Sequence, residues 1–169
     1  HPLLSTLYMQ YNLKAPDRLQ ATVTLPASKS ISNRVSILSA LAPEAAPLIN
    51  LADSDDGRAL QHALRSADET VDIGAAGTAM RFLTAYFAAR PGRTRLLTGS
   101  ARMRQRPIGL LVDALRGLGA DITYTEREGY PPLWIVGQRL RGGEVTMDSG
   151  VSSQFLSALL LVSPLVGDP

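Results

Sequence analysis

Val71-Asp-Ile-Gly-Ala-Ala-Gly-Thr-Ala-Met-Arg81 is the stretch that decides the fold class. Val71 to Ile73 reads as a short strand, and Gly74 to Thr78 is a turn of small residues. A mostly apolar helix then runs from about Thr78 to Ala89 and stops before Pro91-Gly92. Downstream, Thr94 to Thr98 is a second strand, and Gly99 to Arg106 is a loop. Pro107 suits the first turn of a helix that ends near Gly117 or Gly119. Asp121 to Glu126 and Leu133 to Val136 make a hairpin around Gly129-Tyr-Pro-Pro132. The unit is strand-helix-strand-helix-strand-strand, an α/β pattern.

The same order shows upstream and begins again downstream. Leu19 to Leu25 alternates as a strand that Pro26 ends, and Ser28 caps a helix through Ala42 that Pro43 stops. Pro47 to Leu51 reads as a strand. Asp53-Ser54-Asp55-Asp56 opens a helix to about Ser66. Glu144 to Met147 reads as a strand, Asp148-Ser149-Gly150 as a turn, and Ser152 to Val162 as a helix. The expectation is one complete unit, one short of its last strand pair, and one cut off after its first helix. A repeat fold interrupted in mid-unit is expected to be a fragment of a longer protein.

Composition narrows the chemistry. The chain has 169 residues, 45% hydrophobic and 19% charged, with 17 Lys plus Arg against 15 Asp plus Glu. A net charge of +2 gives no argument for nucleic acid. Absence of Cys excludes disulfides and thiol nucleophiles, and His1 and His62 cannot build a His-rich metal site. No apolar run reaches the roughly 18–20 residues of a membrane span, and no signal segment opens the chain. A cytoplasmic protein is therefore expected. Lys occurs only at Lys14 and Lys29; the remaining cations are Arg, whose planar fork suits carboxylates and phosphates.

In each unit a loop of small or hydroxyl residues opens an apolar helix: Ala27-Ser-Lys-Ser30, Ala75-Ala-Gly-Thr78 and Gly150-Val-Ser-Ser-Gln154. Helix starts carry free N–H groups and partial positive charge, so three of them together would attract anions. Lys29 and Arg34 place cations in the first turns of one such helix, against its dipole, which makes sense if they serve an anion. Arg102-Met-Arg-Gln-Arg106 offers three cations before another helix. One of them reaching into a cleft would clamp an anion, and a solvated charge cluster is the plain alternative. Taken singly, the Gly77 loop is an ordinary turn and Ser152-Ser153 an ordinary cap.

Leu25-Pro-Ala-Ser-Lys-Ser-Ile-Ser-Asn-Arg34, Ala76-Gly-Thr-Ala-Met-Arg81, Arg106-Pro-Ile-Gly109 with Val112-Asp-Ala-Leu115, and Val151-Ser-Ser-Gln-Phe-Leu156 occur together in order. In this the chain resembles the 3-phosphoshikimate 1-carboxyvinyltransferase family from about Gln20 onward. The resemblance implies an enolpyruvyltransferase-type α/β domain of repeated βαβαββ units with mixed sheets, helix N-termini facing a substrate cleft. Residues 19–169 would form this substrate-binding domain, truncated in its third repeat. Residues 1–18 would be an N-terminal extension carrying the first strand of the other domain.

The implied reaction transfers the enolpyruvyl group of phosphoenolpyruvate to the 5-hydroxyl of shikimate 3-phosphate, with no cofactor and no metal. The implied catalytic residue is Lys29, contacting both substrates. Ser30, Arg34, Ser152, Ser153 and Gln154 would bind shikimate 3-phosphate; Gly77, Arg106 and again Gln154 would meet phosphoenolpyruvate. The partners implied are these small anions and the missing C-terminal domain, with neither nucleic acid nor membrane. The family's catalytic Asp and Glu belong to that domain, so the fragment alone is expected to be inactive.

The chain departs from the family pattern at Ala75 (usually Asn), Phe82 (usually Pro) and Ala27 (commonly Gly). It is also short of two strands between Ser66 and Val71. A sibling enolpyruvyltransferase acting on UDP-N-acetylglucosamine usually carries a reactive Cys, which this chain lacks. A non-catalytic anion-binding module is the remaining alternative.

Overall fold

A computed structural model describes residues 11–18, 20–42, 44, 46–147, 150 and 152–167. The expected strand's first residue Leu19, the stop at Pro43, turn residues Asp148 and Ser149, and Val151 lie outside them, as does His1 to Met9.

The complete unit forms as its pattern dictates. Strands β1 (Thr70–Asp72), β2 (Thr94–Thr98), β3 (Asp121–Tyr124) and β4 (Leu133–Val136) make a mixed sheet in the order β1-β2-β4-β3. β1 and β2 are parallel, so the chain needs a crossover between them, and helix α3 (Gly77–Ala88) supplies it. β2 and β3 both pair antiparallel with β4, with Leu97 opposite Leu133 and Ile122 opposite Ile135. Helix α4 (Gly109–Gly117) links β2 to β3. It starts two residues after Pro107, because the preceding loop takes a 3-10 turn at Met103–Gln105.

Helix α3 is the centre of the molecule. Ten of its residues are buried, and Ala79, Leu83 and Ala85 have no exposure at all. An apolar helix without a polar face must be covered on every side. The sheet and α4 cover part of it, and helices α1 (Lys29–Leu41), α2 (Asp55–Arg65) and α5 (Ser153–Val162) cover the rest. The flanking helices start where their caps predict. Ser28 Oγ accepts from the Ile31 amide, Ser54 Oγ from the Gly57 amide, and Ser152 Oγ from the Gln154 amide.

Three expected strands are absent among the described residues. Residues 20–25, 47–51 and 144–147 run without β pairing, and Val23, Leu25 and Ile49 are exposed. Alternation supplies a strand's faces but not its hydrogen-bond partners, and these segments have no neighbouring strand to complete a ladder. Of the repeated βαβαββ units, one builds its sheet here; the others contribute helices.

The sheet closes onto the far end of α3 through Gly137. Its amide donates to the Arg93 carbonyl, and the Gln138 amide donates to the Ala88 carbonyl. A Cβ at Gly137 would fall on the Arg90 carbonyl and lie 2.8 Å from that of Phe87. Both obstacles are backbone and cannot rotate away. Gly137→Ala is expected to lower unfolding free energy by about 1–3 kcal/mol, the usual cost of overpacking, measured by urea denaturation.

Candidate functional site

The α3 start has no side-chain cap: Ala76 precedes it, and Thr78 does not cap it. Its first amides therefore stay available. Around this end the chain gathers guanidinium groups. A Cβ at Gly77 would stand 2.7 Å from a terminal nitrogen of Arg106 and 3.2 Å from one of Arg81. Gly77 thus lets two arginines close over the helix start. Burial holds the Arg81 pKa below the ordinary value, and the neighbouring Arg106 charge lowers it further. Arg81 Nε is buried without a hydrogen-bond partner.

The other two helices join α3 here. Gln154 Nε2 donates to Thr78 Oγ1 at 3.3 Å, linking the starts of α5 and α3. The Arg81 guanidinium lies 5.3 Å from the Phe155 ring centroid on α5. From α1, Arg34 donates to Ser157 Oγ on α5 at 3.0 Å and stacks 5.6 Å from the ring of Phe82 on α3. Phe82 is 1% exposed, so this bulky residue forms the floor under Arg34.

Two arginines are aimed by the same local device. Arg34 donates to the Ser30 carbonyl at 2.9 Å and Arg81 to the Gly77 carbonyl at 2.8 Å. Each reaches back four residues along its own helix, which carries the charge toward the helix start. None of the ion pairs among the described residues involves Arg34, Arg81 or Arg106. By contrast, Arg104 is paired with Glu126 at 3.0 Å. The loop's arginines therefore divide: Arg104 is held at the surface, and Arg106 stands at Gly77.

Gly77, Arg106, Gln154 and Arg34 are thus drawn into one linked set. Lys29 and Ser30 sit at the exposed start of α1, and Ser152 and Ser153 at the exposed start of α5. No bridge between the helices passes through these four side chains among the described residues. Arg81, Thr78 and Ser157 join the set without having been singled out by the sequence. Thr78 and Arg81 lie in the motif around Gly77, and Ser157 left no signal.

The family model of EPSP synthase (3-phosphoshikimate 1-carboxyvinyltransferase) matches residues 13–70 and 66–168. The chain belongs to the EPSP synthase family. A 3-phosphoshikimate 1-carboxyvinyltransferase of Bacteroides fragilis (strain YCH46) is 52% identical over 158 residues, covering 94% of this chain and 38% of the relative. One from Pseudoalteromonas translucida is 44% identical over 181 residues, covering 92% and 42%. An EPSP synthase structure from Acinetobacter baumannii matches with a TM-score of 0.75 at 25% identity, over 85% of this chain and 38% of that one. The mixed sheet and its covering helices are therefore the EPSP synthase fold. The chain spans about two fifths of the length of these relatives. Among the described residues no helix is long and apolar enough to cross a membrane.

The two arginines at the α3 and α1 starts should respond oppositely to neutralisation. Arg34→Met removes charge-assisted bonds to Ser30 and Ser157 and is expected to cost roughly 1–2 kcal/mol. Arg81→Met keeps an unbranched chain against Phe155 and relieves a desolvated charge beside Arg106. It is expected to leave the urea midpoint unchanged or raise it. A midpoint lowered by Arg81→Met as much as by Arg34→Met would contradict this account.

Proposed function

We propose that this chain is the shikimate 3-phosphate-binding part of an enzyme that transfers the enolpyruvyl group of phosphoenolpyruvate to the 5-hydroxyl of shikimate 3-phosphate. The observation that carries the reading is the pair of guanidiniums, Arg81 and Arg106, packed at the uncapped start of α3 with no ion-pair partner among the described residues. Like charges held together in this way favour a bound anion, which would screen their repulsion and meet the free helix amides.

In the proposed reaction the 5-hydroxyl oxygen adds to C2 of phosphoenolpyruvate while C3 takes a proton. The hydroxyl proton leaves, giving a tetrahedral intermediate. Loss of phosphate and of a C3 proton then yields the enol ether. Both substrates are polyanions, so the first demand on the protein is to offset their repulsion and hold them in contact. Arg106 and the amides at Gly77 would receive phosphoenolpyruvate. Arg34, Ser30, Ser152 and Ser153 would hold shikimate 3-phosphate, with Gln154 between the two. Lys29, on its flexible stem at the start of α1, would reach both substrates and assist proton transfer. Residues 19–169 would form this binding domain, with residues 1–18 as an extension toward the other. The catalytic acids would come from a second domain of the whole protein, as the chain's share of its relatives' length suggests. The reading includes the cytoplasm as the compartment of the whole protein.

Calorimetric titration of the chain with shikimate 3-phosphate tests the half-site. Weak saturable binding is expected, lost in Arg34→Ala and in the Ser152→Ala, Ser153→Ala pair. A folded sample that takes up no ligand at millimolar concentration would overturn the reading. In the whole protein, Arg106→Ala is expected to lower kcat/KM for phosphoenolpyruvate by about 10²–10³-fold, the scale of one lost oxyanion contact.

A further inference from the structure

The far end of α3 holds a different feature. A cavity of about 750 Å³ lies where the C-terminal ends of α1, α2 and α3 meet the start of β2. Among the described residues its wall includes Arg65, Arg90, Arg93 and Arg95 and not one Asp or Glu. Leu48, Leu51, Leu64 and Ala40 give it an apolar side, and Ser36, Ser39, Gln61 and Ser66 add polar groups. This volume is in the range of small-molecule sites, and apolar walls with a few convergent polar groups are their usual make-up.

Arg95 is the decisive residue. It occupies the core-facing side of β2 together with Leu97, opposite the fully buried Ile135, and is only 6% exposed. A buried cation at such a position normally has a full set of acceptors. Here the terminal nitrogens reach the Ser66 and Ala67 carbonyls only at 3.3 Å, and Nε has no partner. Helix-end chemistry accounts for part of the cluster, since Arg65 lies in the last turn of α2 and Arg95 faces that helix's end. It does not account for Arg93, whose side chain is exposed and has no ion pair among the described residues. Arg90 is stacked on Tyr86 at 5.6 Å, which leaves its hydrogen-bond donors open. The Asp68 carboxylate is tied to the Ser66 hydroxyl at 2.7 Å.

The cavity opens beside a break in the family pattern. The family model matches in two stretches that meet at residues 66–70, the turn from α2 to β1. The alignment with the Pseudoalteromonas relative runs over 181 residues while using 92% of this 169-residue chain, so that relative has residues this chain lacks. The alignment with the Bacteroides relative runs over 158 residues for 94% of the chain, with no such excess. The cavity rim, Arg65 and Ser66, adjoins that junction.

We infer that this cavity is a second anion site, taking a small molecule that joins a phosphate or carboxylate to an apolar body. The anionic group would sit among Arg93, Arg95 and Arg65, and the apolar body against Leu48, Leu51 and Leu64. The site lies at the opposite end of α3 from Gly77, so it stands or falls independently of the enolpyruvyl-transfer reading.

Phenyl phosphate is the probe, followed by amide chemical shifts at constant ionic strength in the full chain. Saturable shifts are expected at Ser66, Phe87 and Arg93. Arg93→Ala and Arg95→Leu should each weaken binding by about tenfold, the loss of one charge-assisted contact. Arg106→Ala should change it less than about twofold, having no contact there. Inorganic phosphate, lacking the apolar body, should bind more weakly. Arg93 is a surface residue, so its variant keeps the test valid even where Arg95→Leu misfolds. Shifts confined to Gly77, Thr78 and Gln154, or an affinity indifferent to Arg93→Ala, would overturn the inference. Equal affinity for inorganic phosphate would remove the apolar part of it.

Discussion

The burial of α3 is the constraint on which the other features depend. A helix covered along its length can hide its side chains, but it cannot satisfy the backbone groups at its two ends by itself. Each end needs chemistry brought from elsewhere in the chain. At its start, two arginines and a glutamine arrive from α1, from the loop before α4 and from α5, beside the helix's own Arg81. At its other end, the Ala88 carbonyl receives the Gln138 amide, and Gly137 lets the backbone come close enough for that bond. The sheet, the three covering helices and the glycines at 77 and 137 are different answers to the same demand.

The arrangement at the α3 start is not a stability optimum. Arg81 is desolvated, stands next to another cation, and leaves Nε unpaired. Two exposed arginines behave otherwise: Arg58 pairs with Asp53 and Asp55, and Arg104 with Glu126. Among the described residues Arg34, Arg81 and Arg106 are in no ion pair, so the start of α3 carries positive charge that no carboxylate balances. Active sites are where such local imbalance is usually found.

Much of the complete unit was legible in the sequence because its signals are local. β2 and β4 fall where alternation and flanking Gly or Pro put them, and Ser28, Ser54 and Ser152 cap the helices they precede. The three expected strands that do not form among the described residues have local signals too, alternation over Leu19 to Leu25 and a short apolar run over Pro47 to Leu51. What they lack is a neighbour, and no window of sequence contains that information. The candidate site divides along the same line. Gly77 and Arg106 are singled out only through the family resemblance: read alone, the Gly77 loop is an ordinary turn, and nothing local chooses among Arg102, Arg104 and Arg106. Thr78 and Ser157 are not singled out, since their roles depend on α5 crossing α3. Arg95 was illegible for a related reason: Thr94 to Thr98 reads as a strand, but only the packed structure says which of its faces is the inner one.

The backward reach of Arg34 and Arg81 has a consequence for ligand capture. A free arginine side chain samples many rotamers, and immobilising it on binding costs about 0.5–1.5 kcal/mol. Here the carbonyls of Ser30 and Gly77 already hold both side chains in place. That loss of freedom is incurred when the helices form, and an arriving anion meets groups that no longer have to be ordered. Lys29, exposed on its flexible stem, keeps its freedom until the ligand is present. In the proposed reaction such an arrangement would combine rigid recognition with one adjustable cation, a division of labour that suits a changing charge distribution.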